Sequence, residues 1–278
     1  MTVAREFIAA LEAFAGLAPP PRVKALHLPA VGPDQGNRGA FCGVELADGS
    51  LGLSYALLDD TLAALAASRL AASLPGADPL AVARLYGGGD GVGRTVGLAA
   101  INALTRCCFD RAGYLPAASR DSLGELMPAP GDHVGMIGFF APLVPRLVAA
   151  GTRLTVVELK AELAGQGAGY RVTLDRNELA TCNKVLATST VLLNDTLEAM
   201  LAACPAAGWF TLVGPGAGCL PDPLFARGVT LLGGNWAVDG RGLIDALECG
   251  APWSGFARKV SIGRAGYPGW TALLERLR

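Results

Sequence analysis

The chain has 278 residues, 51% hydrophobic and 17% charged, a balance that supplies buried cores and excludes a disordered or fibrous protein. Its 23 Lys and Arg nearly cancel 24 Asp and Glu, so no basic field exists to gather phosphate backbones and nucleic acid is not an expected partner. Seven cysteines without a C-x-x-C pair and only two histidines, His27 and His133, fit neither a disulfide framework nor a zinc ribbon, and any metal would need thiolates, carboxylates or an outside chelator.

In chain order, Val3, Phe7, Leu11 and Phe14 recur at helical spacing and predict an opening helix that ends near Gly16. Arg5, Glu6 and Glu12 interrupt its apolar pattern, unlike a secretory signal, and the expected location is cytoplasmic. Three extended segments follow, Val23 to Val31, Ala40 to Leu46 and Leu51 to Leu57, the last two joined by the hairpin signal Asp48-Gly49. Asp59-Asp60-Thr61 then opens a helix to about Ser73, and a further helix is expected from Thr95 to about Gly113, with a stripe of Ile101, Leu104 and Cys108.

From Gly131 short apolar runs alternate with helical stretches, the pattern of a parallel sheet with crossover helices. Predicted strands are Val134 to Phe139, Leu154 to Glu158, Val185 to Thr188, Trp209 to Val213 and Val229 to Leu232. Predicted helices follow Pro142, start at Asn194, surround Pro223 to Ala226 and cover Arg241 to Leu247. The run from His133 to Ala150 is broken by Gly135, Gly138, Pro142, Pro145 and Arg146, so it is not a membrane span. Prolines at 116, 128 and 130 put the expected boundary between Leu115 and Gly131, giving a small α+β meander domain over 1–120 and a Rossmann-like α/β domain over 121–278.

Several strings bear on function. Gly88 to Thr95 fits a P-loop except that Arg94 replaces the lysine, and an arginine fork is not equivalent to that compact charge; the alternative is a loop capped by Thr95. Gly135 and Gly138 lie at a strand-to-helix turn whose amides can bind an anion, and Glu158, 20 residues after Gly138, stands where dinucleotide folds place a ribose-binding acid. The competing reading is a purely structural turn. Thr188, Ser189 and Thr190 gather hydroxyls at a predicted strand end, with Asn194 able to cap the next helix and Gly214 bringing close-approach backbone to the same edge. Asn102 sits mid-helix beside the apolar stripe and needs a buried partner, a ligand or solvent. His27 reads as a satisfied core or interface residue, His133 as a boundary residue, and most cysteines as small buried hydrophobes.

On the strings VGLAAINAL (Val96 to Leu104), VGMIGFFAPLVPRL (Val134 to Leu147), ATSTVLLNDTLE (Ala187 to Glu198) and LVGPGAGCLPDPLFARGVTLLGG (Leu212 to Gly234), the chain resembles the family described as putative heavy-metal chelation. The resemblance covers roughly Val23 to Ile262 and implies an enolase N-terminal-like domain, a Rossmann-like domain and a ligand site in the cleft between them. The family pattern GT-x-x-x-NGT becomes ST-x-x-x-NDT here, so Asp195 stands where that pattern has glycine. The expectation is a small-molecule-binding protein whose ligand is a metal chelate or polar anion, with a transition metal as the implied cofactor or cargo. An enzyme, transferase or lyase, on a nucleotide-linked or chelator-like substrate and a non-catalytic metal-trafficking partner stay open as alternatives. An alanine-rich, apolar chain is expected to bury surface in a homodimer.

Overall fold

The computed structural model describes residues 2–30, 40–119, 121 and 123–278; Val31, the end of the first predicted extended segment, lies outside them. Helix α1 (Val3–Leu17) buries the four residues of the predicted stripe, and Thr2 caps it. Strands β1 (Val23–His27), β2 (Phe41–Leu46) and β3 (Leu51–Tyr55) form an antiparallel meander in that order. Gly49, at φ +86°, supplies the positive φ of the β2–β3 turn.

The helix expected to run to Ser73 is two pieces, α2 (Thr61–Ala67) and α3 (Leu70–Ser73), because Ser68 turns extended between them. An unforeseen α4 (Pro79–Arg84) follows, capped by Asp78. Helix α5 spans Gly91–Arg111 and starts before Thr95, which is buried inside it; the cap is Asp90, whose carboxylate accepts from Gly93 N. Almost every residue of α5 from Thr95 to Phe109 is buried, so it is a core helix rather than an amphipathic one. Gly52 lets β3 ride directly on it: a Cβ there would lie 2.2 Å from Ala99 O and Ala103 N.

Among the described residues the second sheet has nine strands. In chain order they are β4 (Ala117–Ala118), β5 (His133–Ile137), β6 (Arg153–Val157), β7 (Gly165–Gly167), β8 (Tyr170–Thr173), β9 (Lys184–Thr188), β10 (Trp209–Val213), β11 (Leu231–Ala237) and β12 (Ala257–Gly263). Their spatial order is β4-β12-β11-β10-β9-β5-β6-β8-β7. Strands β5, β6, β8, β9, β10 and β11 are parallel, while β7, β12 and β4 pair antiparallel at the edges. Counting the parallel strands from β5, the chain steps outward through β6 and β8, then returns to the other side of β5 and steps through β9, β10 and β11. This is the Rossmann order, and its reversal lies between β5 and β9.

Helices α6 (Val144–Ala149), α7 (Leu197–Ala202), α8 (Asp222–Phe225), α9 (Gly240–Glu248) and α10 (Trp270–Glu275) complete the larger part. The fold is therefore α/β, a small α+β meander followed by a Rossmann-like sheet. One apolar core runs through both parts, from Phe7, Phe14 and Leu98 to Val185 and Leu212. Polar links cross the same seam. Arg227 grips Glu6 through its two terminal guanidinium nitrogens at 2.6 and 2.9 Å, and Trp270 Nε1 donates to Ala10 O at 3.1 Å. His27 in β1 lies between Glu45 of β2 at 3.0 Å and Glu248 of α9 at 2.7 Å. Among the described residues no helix is long and apolar enough to cross a membrane.

Candidate functional site

In open α/β sheets ligands bind outside the carboxyl ends of the strands where the order reverses. That point is the crevice between the ends of β5 and β9. Gly138, just past β5, has φ +83°, and a Cβ on it would lie 2.9 Å from Thr188 Cγ2, so the two strand ends touch. Thr188 Oγ1 accepts from Thr190 N at 3.3 Å and from Thr190 Oγ1 at 3.1 Å, which folds Ser189 to Leu192 into a 3-10 turn. The loop after β10 closes the other wall. Gly214 and Gly216 approach Ser189 so closely that a Cβ on either would meet its Oγ at 2.7 and 3.0 Å. Gly138, Thr188, Ser189, Thr190 and Gly214 therefore converge at one end of the sheet.

Glu158 follows β6 at the same end. Its Oε2 accepts from Phe139 N at 2.9 Å and its Oε1 from Leu159 N at 2.7 Å, while Phe140 N faces Met136 Sδ at 3.4 Å. The turn amides that an anion would use are thus partly taken by the protein itself. Tyr55 is the last residue of β3. Burial, reinforced by the negative charge of Glu158, pushes its hydroxyl above the ordinary phenol range.

The remaining residues singled out from sequence lie elsewhere. Gly135 is the middle residue of β5, where the absence of a side chain admits Leu179 and Cys182 rather than a ligand. Asn194 does not start or cap α7, which begins three residues later; its Oδ1 accepts from Thr196 Oγ1 at 2.7 Å. Asp195 beside it has φ +60°, a conformation that glycine takes freely and that Asp tolerates better than most other residues, which accounts for the substitution in this string. Asn102 is buried, and its Nδ2 donates to Leu53 O at 2.7 Å and to Gly216 O at 3.1 Å. It reaches the site through the glycine loop and not by its own exposure.

The P-loop-like string is likewise committed. Asp90 caps the helix start where a phosphate would sit, and Arg94 donates to Leu193 O at 3.2 Å. With Tyr86, whose hydroxyl donates to Leu192 O at 2.6 Å, Arg94 holds the end of the 3-10 turn that follows β9. Two strings that read separately in sequence are packed together.

A cavity of about 310 Å³ adjoins the crevice on the β10–β11 side, within the range of small-molecule sites. Gly214, Gly233 and Gly234 give it a backbone wall, Phe140 and Leu143 an apolar one, and Lys259 lies at its lining. Among the described residues no group of three or more His, Cys, Asp and Glu side chains is placed to hold a metal ion. Cys42, Cys107, Cys108, Cys182, Cys204 and Cys219 are buried, and burial pushes each thiol up to about 12.

The fold defines a Rossmann-order α/β protein with an antiparallel meander preceding its large sheet. The family model described as putative heavy-metal chelation matches residues 123–264, more than half of the chain, and a second model with the same description matches residues 39–105; the chain belongs to this family. It is similar to the crystal structure of a DUF364-family protein of unknown function from Desulfitobacterium hafniense, with 20% identity and a TM-score of 0.70 over 94% of this chain and 98% of that one. A DUF364-family protein of unknown function from Pyrococcus horikoshii gives 21% identity and a TM-score of 0.67 over 95% and 100%. At these identities the likeness is one of fold. No protein of curated function matches the chain.

Proposed function

We propose that the protein binds a small polar ligand, a metal chelate or a metal-bearing anion, in the cleft where the meander faces the carboxyl ends of β5 and β9. The convergence of Gly138, Thr188, Ser189 and Gly214 at the reversal of strand order carries this reading. Hydroxyls and close-approach glycines suit the oxygen-rich outside of a chelate or an oxyanion. They do not suit a bare ion, for which the described residues assemble no donor set. The family's description supports a metal-related role, and in this reading the metal is cargo that arrives with its own ligands. The adjoining cavity has room for the organic part of such a ligand.

Titration calorimetry with nickel(II) citrate, inorganic phosphate and aqueous nickel(II) tests the reading on the wild type and on Thr188→Val. The expected result is binding of the chelate or the anion, weakened by about 1 to 3 kcal/mol in the variant, the usual cost of unpairing a desolvated polar group. Stoichiometric binding of aqueous nickel(II) alone, unchanged by Thr188→Val, would refute it.

A further inference from the structure

A groove of about 780 Å³, large enough for a small organic molecule, lies apart from the crevice, between α1, the turn ahead of α5 and the segment after β9. Val3, Ile8 and Leu192 supply apolar surface to it, and Arg5, Arg84 and Arg94 bring three guanidinium groups. Glu12, Asp195 and Glu198 line it as well, so the sum of charges alone decides nothing.

The pairing decides it. Glu12 is held by Arg84 at 2.8 Å, and Glu198 by Arg227, which is not part of the lining, at 3.3 Å. Asp195 lies 4.0 Å from Arg94, beyond hydrogen-bond distance, and its side chain is 85% exposed. Arg5 has no side-chain partner among the described residues. The Arg94 side chain is only 20% exposed, yet of its five N–H donors one is met, by Leu193 O at 3.2 Å. A guanidinium so far withdrawn from water calls for acceptors, and the carboxylates of the groove do not supply them. Two guanidiniums in this condition oppose a cation. They match a phosphate monoester, which brings about −1.5 to −2 charges and three acceptor oxygens at neutral pH, better than a carboxylate with one charge and two oxygens.

We propose that this groove is a second ligand site, which takes a small organic phosphate monoester, its phosphate held by Arg5 and Arg94 and its apolar body laid against Ile8 and Leu192. The P-loop-like string contributes here in a different way from a P-loop: Gly87, Gly88 and Arg94 line the groove, but Asp90 caps α5, so side chains rather than helix amides meet the phosphate. Arg94 and Tyr86 also hold Leu193 O and Leu192 O, which places the groove at the far end of the 3-10 turn that begins at Ser189. The site is separate from the crevice and does not depend on the ligand proposed there.

Titration calorimetry of the full chain with phenyl phosphate, on the wild type, Arg5→Gln and Thr188→Val, tests the assignment. Arg5 is exposed, so its variant is expected to fold, and thermal melts of both variants check this. The expected result is a binding event that Thr188→Val keeps and that Arg5→Gln weakens about tenfold or more, the usual effect of losing a charged hydrogen bond. Benzoate, which offers a carboxylate on the same ring, is expected to bind at least about tenfold more weakly than phenyl phosphate. Absence of phenyl phosphate binding, equal binding by the wild type and Arg5→Gln, or loss in Thr188→Val with Arg5→Gln unaffected, which puts the probe in the crevice, would overturn the proposal. Equal affinity for benzoate would overturn the phosphate as its ligand class.

Discussion

Asn102 and Gly216 meet across the seam, the amide nitrogen of one donating to the carbonyl of the other at 3.1 Å while it also holds Leu53 O. The loop that carries Gly216 is the loop that lies against Ser189, so this strut sets one wall of the crevice. Asn102→Ala removes both donors and leaves two carbonyls buried. A loss of about 2 to 4 kcal/mol is expected in urea denaturation, and Asn102→Asp, which keeps the shape without the donors, should not recover it. A change under about 0.5 kcal/mol would show that the strut carries no load.

Close approach of β3 to α5 makes Gly52 irreplaceable. Alanine there would drive a methyl into the backbone of Ala99 and Ala103, so Gly52→Ala should cost about 3 kcal/mol or more, or prevent folding. A Cβ on Gly16, near the end of α1, would meet no atom within 4 Å. Gly16→Ala should add about 0.5 to 1 kcal/mol. Equal effects of the two variants in thermal melts would contradict the packing described.

Six thiols are buried and pushed up to about 12, whereas Cys249 is exposed at the end of α9. Native labelling with a thiol reagent, read by intact mass, should modify Cys249 quickly and the others only on unfolding. Rapid modification of five or more would refute this burial pattern.

His133, at the start of β5, has its ring nitrogens 2.9 Å from Thr181 Oγ1 and Thr155 Oγ1. Burial, then the charge of Arg153, holds its pKa below the ordinary 6.5. The unfolded chain therefore binds the proton more readily, and the contribution of His133 to stability is complete above about pH 6.5 and lost as pH falls through the lower folded value. His133→Gln should flatten the dependence of the urea midpoint on pH below about 6.5. An unchanged slope in that window would show that His133 does not control it.

Strands β5, β6, β9 and β10 were legible as short apolar runs, Trp209 to Val213 being the plainest. Strands β7 and β8 were not, since Gly-Gln-Gly and Tyr-Arg-Val-Thr at a sheet edge carry too little apolar pattern. The start of α5 was hidden by Gly91 and Gly93, which read as loop although Asp90 caps a helix there. Within the site, Thr188 and Gly138 followed from the rule that ligands gather at strand ends, a property of chain order alone. The roles of Asn102, Tyr55 and Glu158 depend on segments far apart in sequence, and no local spacing encodes which carbonyl or charge each one meets.

Native mass spectrometry of freshly purified protein, with Gly214→Ala alongside, bears most directly on the crevice as a ligand site. Alanine at 214 would press on Ser189 Oγ at φ +133°, altering the crevice wall; a thermal melt shows whether the variant is still folded. The expected spectrum shows the wild type carrying a small-molecule or metal-chelate mass that is released on denaturation and depleted in the folded variant. A bare metal ion at one per chain, retained equally by the wild type and Gly214→Ala, would contradict the crevice as the site and the chelate or anion as its occupant.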